Sequence, residues 1–409
     1  MKVSLRPLAL ACATAFALAP LAAACAQSAA AGSSSASPWQ LEWNLRVRHE
    51  QVDSDAFAKD AKADTARLRL GLRAQFDNGW RGLLEGNGVA AANDHYNSGA
   101  NGHTQYPAIG DPQAAELSQA WIGWQNQAFG FSAGRQALVF DNQRWVNDAA
   151  WRRHPQTFDA VALTWHPAGD WTVRYAWLDR VHRAATKKAL SPLVRERRLD
   201  THLLNVKYER ARQSWVGYTY LHEDLDLRTA SSATYGARWV GKPAGDGFGW
   251  QLEAARQTDY ANNPLHFTHN YWLIEPALTL SGITVRLGWE HLGGDGRTAL
   301  QTPLTSPHVF NGWDNQFTVT PVGGLQDRYA AVGGILPAAG KLAWNVAWHD
   351  FHAVRGGRYG SEWDASVGRP LGYGVTALVK AARYQADGFG RDDTKVWLQL
   401  EWAGTQALD

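Results

Sequence analysis

Residues 394–402 read T-K-V-W-L-Q-L-E-W. Val396, Leu398, Leu400 and Trp402 alternate there with Lys395, Trp397, Gln399 and Glu401. A period of two puts the first set on one face of a β-strand and the second on the other. The same alternation recurs along nearly the whole chain. No later segment reads as an apolar helix long enough to cross a bilayer. Backbone that crosses a membrane must satisfy its own hydrogen bonds, so amphipathic strands behind an export signal predict a closed barrel.

The N-terminus carries that signal. Lys2 and Arg6 form a basic start, residues 8–21 are apolar, and Ala24-Cys25-Ala26 fits a small-x-small cleavage site. Cleavage is expected after Ala26, which makes residues 1–26 a signal peptide. A lipid attached at Cys25 is the alternative, but Ala22 stands where a lipobox prefers Leu. The expected order is then an Ala/Ser-rich segment at 27–38, a transmembrane barrel at 39–403 and a short tail at 404–409. The tail is expected because seven residues follow Trp402, whereas a final membrane strand often ends on an aromatic.

The two cysteines, Cys12 and Cys25, both fall inside the signal. An exported chain of this size without disulfides needs another source of rigidity, which barrel closure supplies. No Cys/His cluster of metal-binding spacing is present, and no cofactor is expected. Losing Lys2 and Arg6 would leave 38 basic residues against 38 acidic ones, so net charge points to no polyanion and nucleic acid is not an expected partner. Only 10 of the 40 basic residues are Lys, and Arg is the better fit to planar carboxylates. The 21 Trp suit the aromatic girdles of a membrane barrel.

Seven segments alternate clearly, near 39–47, 68–76, 171–177, 283–289, 342–348, 359–367 and 394–402. Eleven weaker ones lie near 80–92, 115–126, 128–140, 157–167, 200–210, 213–226, 232–241, 247–260, 267–280, 327–336 and 371–386. Together they predict an all-β, antiparallel barrel of about 18 strands. Short turns are expected at 77–79, 167–170, 337–340 and 370–372. Long extracellular or inward-folding loops are expected near 93–113, 141–156, 183–199 and 293–326.

Two stretches are unlike generic loops. One is GRQALVFDNQRWVNDAAWRRHPQTFDAVAL at 134–163, and the other is GWEHLGGDGRTALQTPLTSPHVFNGWDNQFTVTPVGGLQDRY at 288–329. With the RLRLGLRAQF strand at 67–76, they resemble the alginate export family of outer-membrane barrels. The resemblance implies a monomeric 18-stranded barrel in the outer membrane of a Gram-negative cell, with an Arg-lined, anion-selective pore. It implies export of an alginate-like polyuronate, possible periplasmic export machinery, and surroundings of lipid and lipopolysaccharide. Other members are porins, so a general or small-anion channel for uptake stays open.

The residue chemistry is compatible. Arg67, Arg69 and Arg73 share the polar face of one strand, and an Arg on the lipid face near mid-bilayer costs about 2–4 kcal/mol. They are therefore placed in the lumen, with Arg135, Arg144, Arg152, Arg153, Arg174 and Arg286 as further pore-lining candidates. Asp141, Asp159 and Glu290 are expected to hold guanidinium groups in place. The plainer reading is that such charges pair to fill a barrel. Arg195, Arg197 and Arg198 are placed in an outer loop facing lipopolysaccharide phosphates. Trp145 and Trp151 are expected to pack a loop into the lumen rather than stack on sugar. Asp295 and Asp314 are weak cation-ligand candidates, since Gly293–Gly296 reads as a turn. His154, His269, His291 and His308 stand without a nucleophile motif such as G-x-S-x-G, so an enzyme is not expected. A surface adhesin is the third class considered.

Overall fold

The computed structural model describes residues 37–408. The expected signal peptide and nearly all of the Ala/Ser segment lie outside the described residues. The described chain forms 18 strands: β1 (Trp39–Ser54), β2 (Ala61–Gln75), β3 (Trp80–Ala91), β4 (Ala114–Gln125), β5 (Phe129–Gln136), β6 (Thr157–Trp165), β7 (Trp171–His182), β8 (Glu196–Arg210) and β9 (Gln213–Asp224) in the first half. The second half holds β10 (Ser232–Gly241), β11 (Gly247–Asp259), β12 (Thr268–Leu280), β13 (Ile283–Leu292), β14 (Leu325–Leu336), β15 (Leu342–His352), β16 (Arg358–Gly372), β17 (Val375–Ala386) and β18 (Asp393–Ala407). Each pairs antiparallel with the next, and β18 pairs with β1, so the sheet closes without an edge.

The alternation read from the sequence becomes an inside and an outside. Leu68, Leu70, Leu72, Ile122, Leu278, Leu287, Leu398 and Leu400 are exposed on the outer face, where lipid would meet them. At one end of the barrel, rings join around the wall. Trp171, Tyr208, Trp215, Trp239 and Trp250 follow one another at centroid distances of 4.8, 5.6, 6.4 and 5.1 Å. Trp39 meets Phe76, and Trp43 meets Trp402, edge to face. Such amphipathic rings belong at a membrane interface.

That end also holds the tight turns. Ala211-Arg212, Ser281-Gly282 and Tyr373-Gly374 have positive φ at both positions, which matches the twist of paired strands. The opposite end carries the long connections. The turn expected at 370–372 comes two residues later, because Pro370 and Gly372 still pair with β17.

Three boundaries differ from expectation. Gly404–Ala407 is not a tail: these residues pair with Trp43 through Gln40, so β1 gives the last strand a partner beyond Trp402. The strand expected over 128–140 stops at Gln136, because Leu138 and Phe140 turn into the buried interior. The strand expected from 200 starts at Glu196, which moves Arg197 and Arg198 out of the loop and into β8.

Candidate functional site

The lumen is polarised before any loop enters it. On β1 and β2 the inward positions hold Arg46, Arg48, Arg67, Arg69 and Arg73. Across the barrel, β11 to β16 present Glu253, Glu275, Glu290, Asp327, Glu362 and Asp364, all buried. The strand period builds both walls, since alternate residues of neighbouring strands share a face.

Two long loops fold into this space. The β5–β6 loop (137–156) crosses it from wall to wall. At the basic wall, Arg46 Nη1 donates to the Ala150 carbonyl (3.2 Å) and Arg48 Nη2 to the Trp151 carbonyl (3.0 Å). The Arg48 guanidinium also stacks over the Trp151 ring at 3.9 Å. At the acidic wall, Arg144 Nε pairs with Glu290 (3.1 Å), and Asn142 and Trp145 Nε1 donate to Glu253 (3.1 and 2.9 Å). The loop thus presents cations to acids and carbonyls to cations.

The β13–β14 loop (293–324) lies against the first. Gln156 Nε2 donates to the Leu304 carbonyl (2.8 Å) and Asn147 to the Ser306 carbonyl (2.9 Å). Asn311 then reaches Glu290 (2.6 Å), and the Asp314 N–H reaches Glu362 (2.7 Å). The two segments singled out in the sequence are therefore in contact and narrow the lumen together.

The expected lining residues divide into three groups. Arg67, Arg69, Arg73, Arg174 and Arg286 face inward from strands, and Glu290 does so as the partner of Arg144. Arg67 is buried against Asn44 and Glu401, whereas Arg69 and Arg73 are half-buried, with Arg73 paired to Glu42. Arg174 stacks on Phe140 (4.0 Å), and Arg286 donates to Asn345 (3.1 Å).

Arg144, Arg152 and Arg153 enter on the β5–β6 loop. Arg153 is fully buried and donates to the carbonyls of Arg46 (3.1 Å) and Thr65 (3.0 Å). Burial brings its pKa down to about 10. Its N–H also donates to Asp111 of the β3–β4 loop (3.1 Å). Burial acts to raise the Asp111 carboxyl, but Arg48, Arg152 and Arg153 override it and hold it below the usual range. His154 Nε2 donates to the Pro112 carbonyl (3.0 Å), and burial lowers its pKa.

Arg135 and Asp159 are a correction. They pair with each other (2.8 Å) on the outer face, where Asp159 also meets His182 (2.8 Å) and His182 meets Glu196 (3.1 Å). Gln136 and Phe158 take the inward positions beside them, so parity puts Arg135 and Asp159 outside. Arg197 is a second one: it faces inward and pairs with Asp224 (2.9 Å), while Arg198 stays outside with Asp226 (2.6 Å).

Trp145 and Trp151 pack the loop, as expected. Asp295 accepts the N–H groups of Arg297 and Thr298, which lower its pKa to about 2, and Asp314 pairs with Lys395 (3.2 Å). Sequence reasoning passed over Arg46, Arg48, Glu253, Glu362, Asp364, Lys380 and Glu401 as lumen residues. The signal was present as inward parity next to Arg67 or Glu290, but strand register was needed to use it.

A family model described as alginate export matches residues 38–291. The match ends before most of the 288–329 segment. No curated protein matches the chain. Among solved structures, OccK1 (OpdK) of Pseudomonas aeruginosa superposes with a TM-score of 0.72 at 13% identity, covering 90% of this chain and 99% of that one. OpdK of the same organism, solved with vanillate, gives 0.72 at 14% identity over 90% and 99%. OccAB2 of Acinetobacter baumannii gives 0.70 at 14% identity over 89% and 98%. At these identities the likeness is one of fold.

Proposed function

Because the chain belongs to the alginate export family and forms an outer-membrane channel, we propose that it passes anionic saccharides, with export of an alginate-like polyuronate as its task. The observation that carries this is the run of guanidinium groups on β1 and β2. Arg46, Arg48, Arg67, Arg69 and Arg73 share one inward face, with Glu42 and Asn44 among them, and are joined by Arg152 and Arg153 from the loop. Several cations in a narrow, low-dielectric passage attract carboxylates while no single one holds them. Half-buried Arg73 is open to a passing solute, and the buried members of the wall set the field behind it. Neither the family nor the fold is that of an enzyme class.

One observation favours a second reading, a channel for small carboxylates. The β5–β6 and β13–β14 loops occupy the lumen together, and a polymer needs a wider path than a monomer. OpdK, a fold neighbour, was solved with vanillate, a small carboxylate. Planar-bilayer recordings in a salt gradient, with uronate oligomers and then vanillate added to either side, separate the two. Anion selectivity with oligomer block supports the polyuronate reading. Block by vanillate alone supports the small-carboxylate one, and an unselective pore indifferent to both overturns the anion track.

A further inference from the structure

Beyond the inward loops the lumen opens into a vestibule at the tight-turn end of the barrel. Short turns face the periplasm in outer-membrane barrels, so this is the periplasmic mouth. Three arginines outside the β1–β2 wall reach it. Arg81, Arg174 and Arg286 lie one, three and three residues inside the tight-turn ends of β3, β7 and β13. Parity turns them inward, because Trp80, Leu84, Trp171, Val285 and Leu287, on the other face of those strands, are exposed outside. In the closed order of 18 strands they stand four, six and eight strands apart. They therefore face one another across the mouth instead of stacking on one wall.

Among the described residues none of the three forms an ion pair. The Arg81 guanidinium rests over the Trp121 ring at 5.9 Å, and its Nε has no acceptor. Arg174 stacks on Phe140 and donates to the Val139 carbonyl (3.0 Å). Arg286 donates to the Asn345 amide oxygen (3.1 Å), and its Nε also has no acceptor. All three stay half-buried.

The other charges of this end are cancelled or shut in. Arg73 holds Glu42, Lys207 holds Glu209 (2.8 Å), and Arg238 pairs with Glu253 (3.5 Å). Glu253 and Glu275 are buried beneath donors: Tyr218 reaches the first (2.6 Å), and Tyr329 and Gln251 reach the second (2.5 and 2.7 Å). Lys380, further from the mouth, is boxed by the rings of Trp313, Trp151 and Trp397 (3.7, 4.2 and 5.6 Å). At the long-loop mouth, exposed charges mix in sign. Lys59 stands between Asp55 and Asp60, Arg297 beside Asp295, and Arg391 beside Asp392, while Lys188 shares a hollow with Asp94.

The two mouths thus differ. Like charges around a low-dielectric opening focus their field into it and raise the arrival rate of counter-charged solutes. Mixed charges largely cancel beyond a Debye length. We propose that Arg81, Arg174 and Arg286 form a loading ring at the periplasmic mouth, which gathers carboxylate-bearing saccharides there and makes the channel fill from that side. This rests on the anionic-saccharide reading above and adds to it the side of entry and the residues that set it.

The test measures block by oligogalacturonate added to one chamber at a time in planar bilayers. Residues 27–409 hold no cysteine, so a biotin on Ser191→Cys, exposed at the long-loop end, gives the orientation of each channel through fluorescent streptavidin. At about 0.1 M salt the blocking on-rate from the tight-turn side should exceed that from the other side several-fold. At about 1 M, where the Debye length falls to about 3 Å, the two should converge. Arg81→Gln with Arg174→Gln and Arg286→Gln should bring the tight-turn on-rate down to that of the long-loop side, which itself stays near wild type. Arg81→Gln alone, the least engaged of the three, should close part of the gap and decides the matter if the triple variant does not fold. Equal on-rates from both sides in wild type at low salt, or a ratio that survives the substitutions, overturns the ring. Absence of block from either chamber overturns the anionic-saccharide reading instead. The chloride current then decides the ring: it should rectify in wild type at low salt and lose that asymmetry in the variants, and an ohmic wild type overturns it.

Discussion

Arg67 and Arg135 are both strand arginines near an inward loop, yet they stand on opposite sides of the wall. Arg67 is almost fully buried in the lumen beside Glu401 (3.8 Å), among Arg46, Arg69 and Arg153. Arg135 lies outside, about a quarter exposed, in a chain of alternating charge through Asp159, His182 and Glu196. Inside, cations outnumber nearby acids and create a field. In the outer chain the cations sit beside acids, and the field is largely cancelled. One residue of register separates the two outcomes.

The contrast can be tested by deletion first. Removing 298–320 takes out the loop that lies on the acidic wall and against the β5–β6 loop, and single-channel conductance should rise several-fold; an unchanged conductance would show that this loop does not narrow the pore. Arg144→Met comes next. It leaves Glu290 buried without its cation, and losing half of such a pair costs about 3 kcal/mol or more. The β5–β6 loop should then undock, seen as larger and noisier conductance, while the heat-modifiable barrel band on gels is retained.

The combined change Arg67→Ala, Arg69→Ala and Arg73→Ala should lower the anion-to-cation permeability ratio several-fold with little change in conductance. If the ratio holds, the wall does not set selectivity. Arg135→Ala should have the smallest effect. Its partly exposed pair is worth about 1 kcal/mol at most, and selectivity should match wild type. A selectivity change in Arg135→Ala as large as that of the triple variant would erase the inside–outside distinction.

Much of the fold was legible because alternation is local. Val396, Leu398 and Leu400 announce a lipid face without knowledge of any neighbour, and 18 strands follow from repeating that reading along the chain. The ends were less legible. Gly404–Ala407 carries no strand signature of its own, and it is a strand because β1 lies alongside. In the lumen, Arg67 was readable from its own strand. Arg135 was not, because Arg135 and Gln136 are both polar and composition could not choose which turned inward. Lys380 gave no sign of an aromatic box, since Trp151, Trp313 and Trp397 come from three distant places in the sequence.

The sequence by itself determined a closed, amphipathic, Arg-rich barrel, because side-chain parity and apolar content act within a few residues of one another. The tertiary structure decided which charges meet: that the basic and acidic walls face each other, and that two loops more than a hundred residues apart dock as one body. Those contacts depend on barrel closure and register, which bring together positions that no local pattern connects.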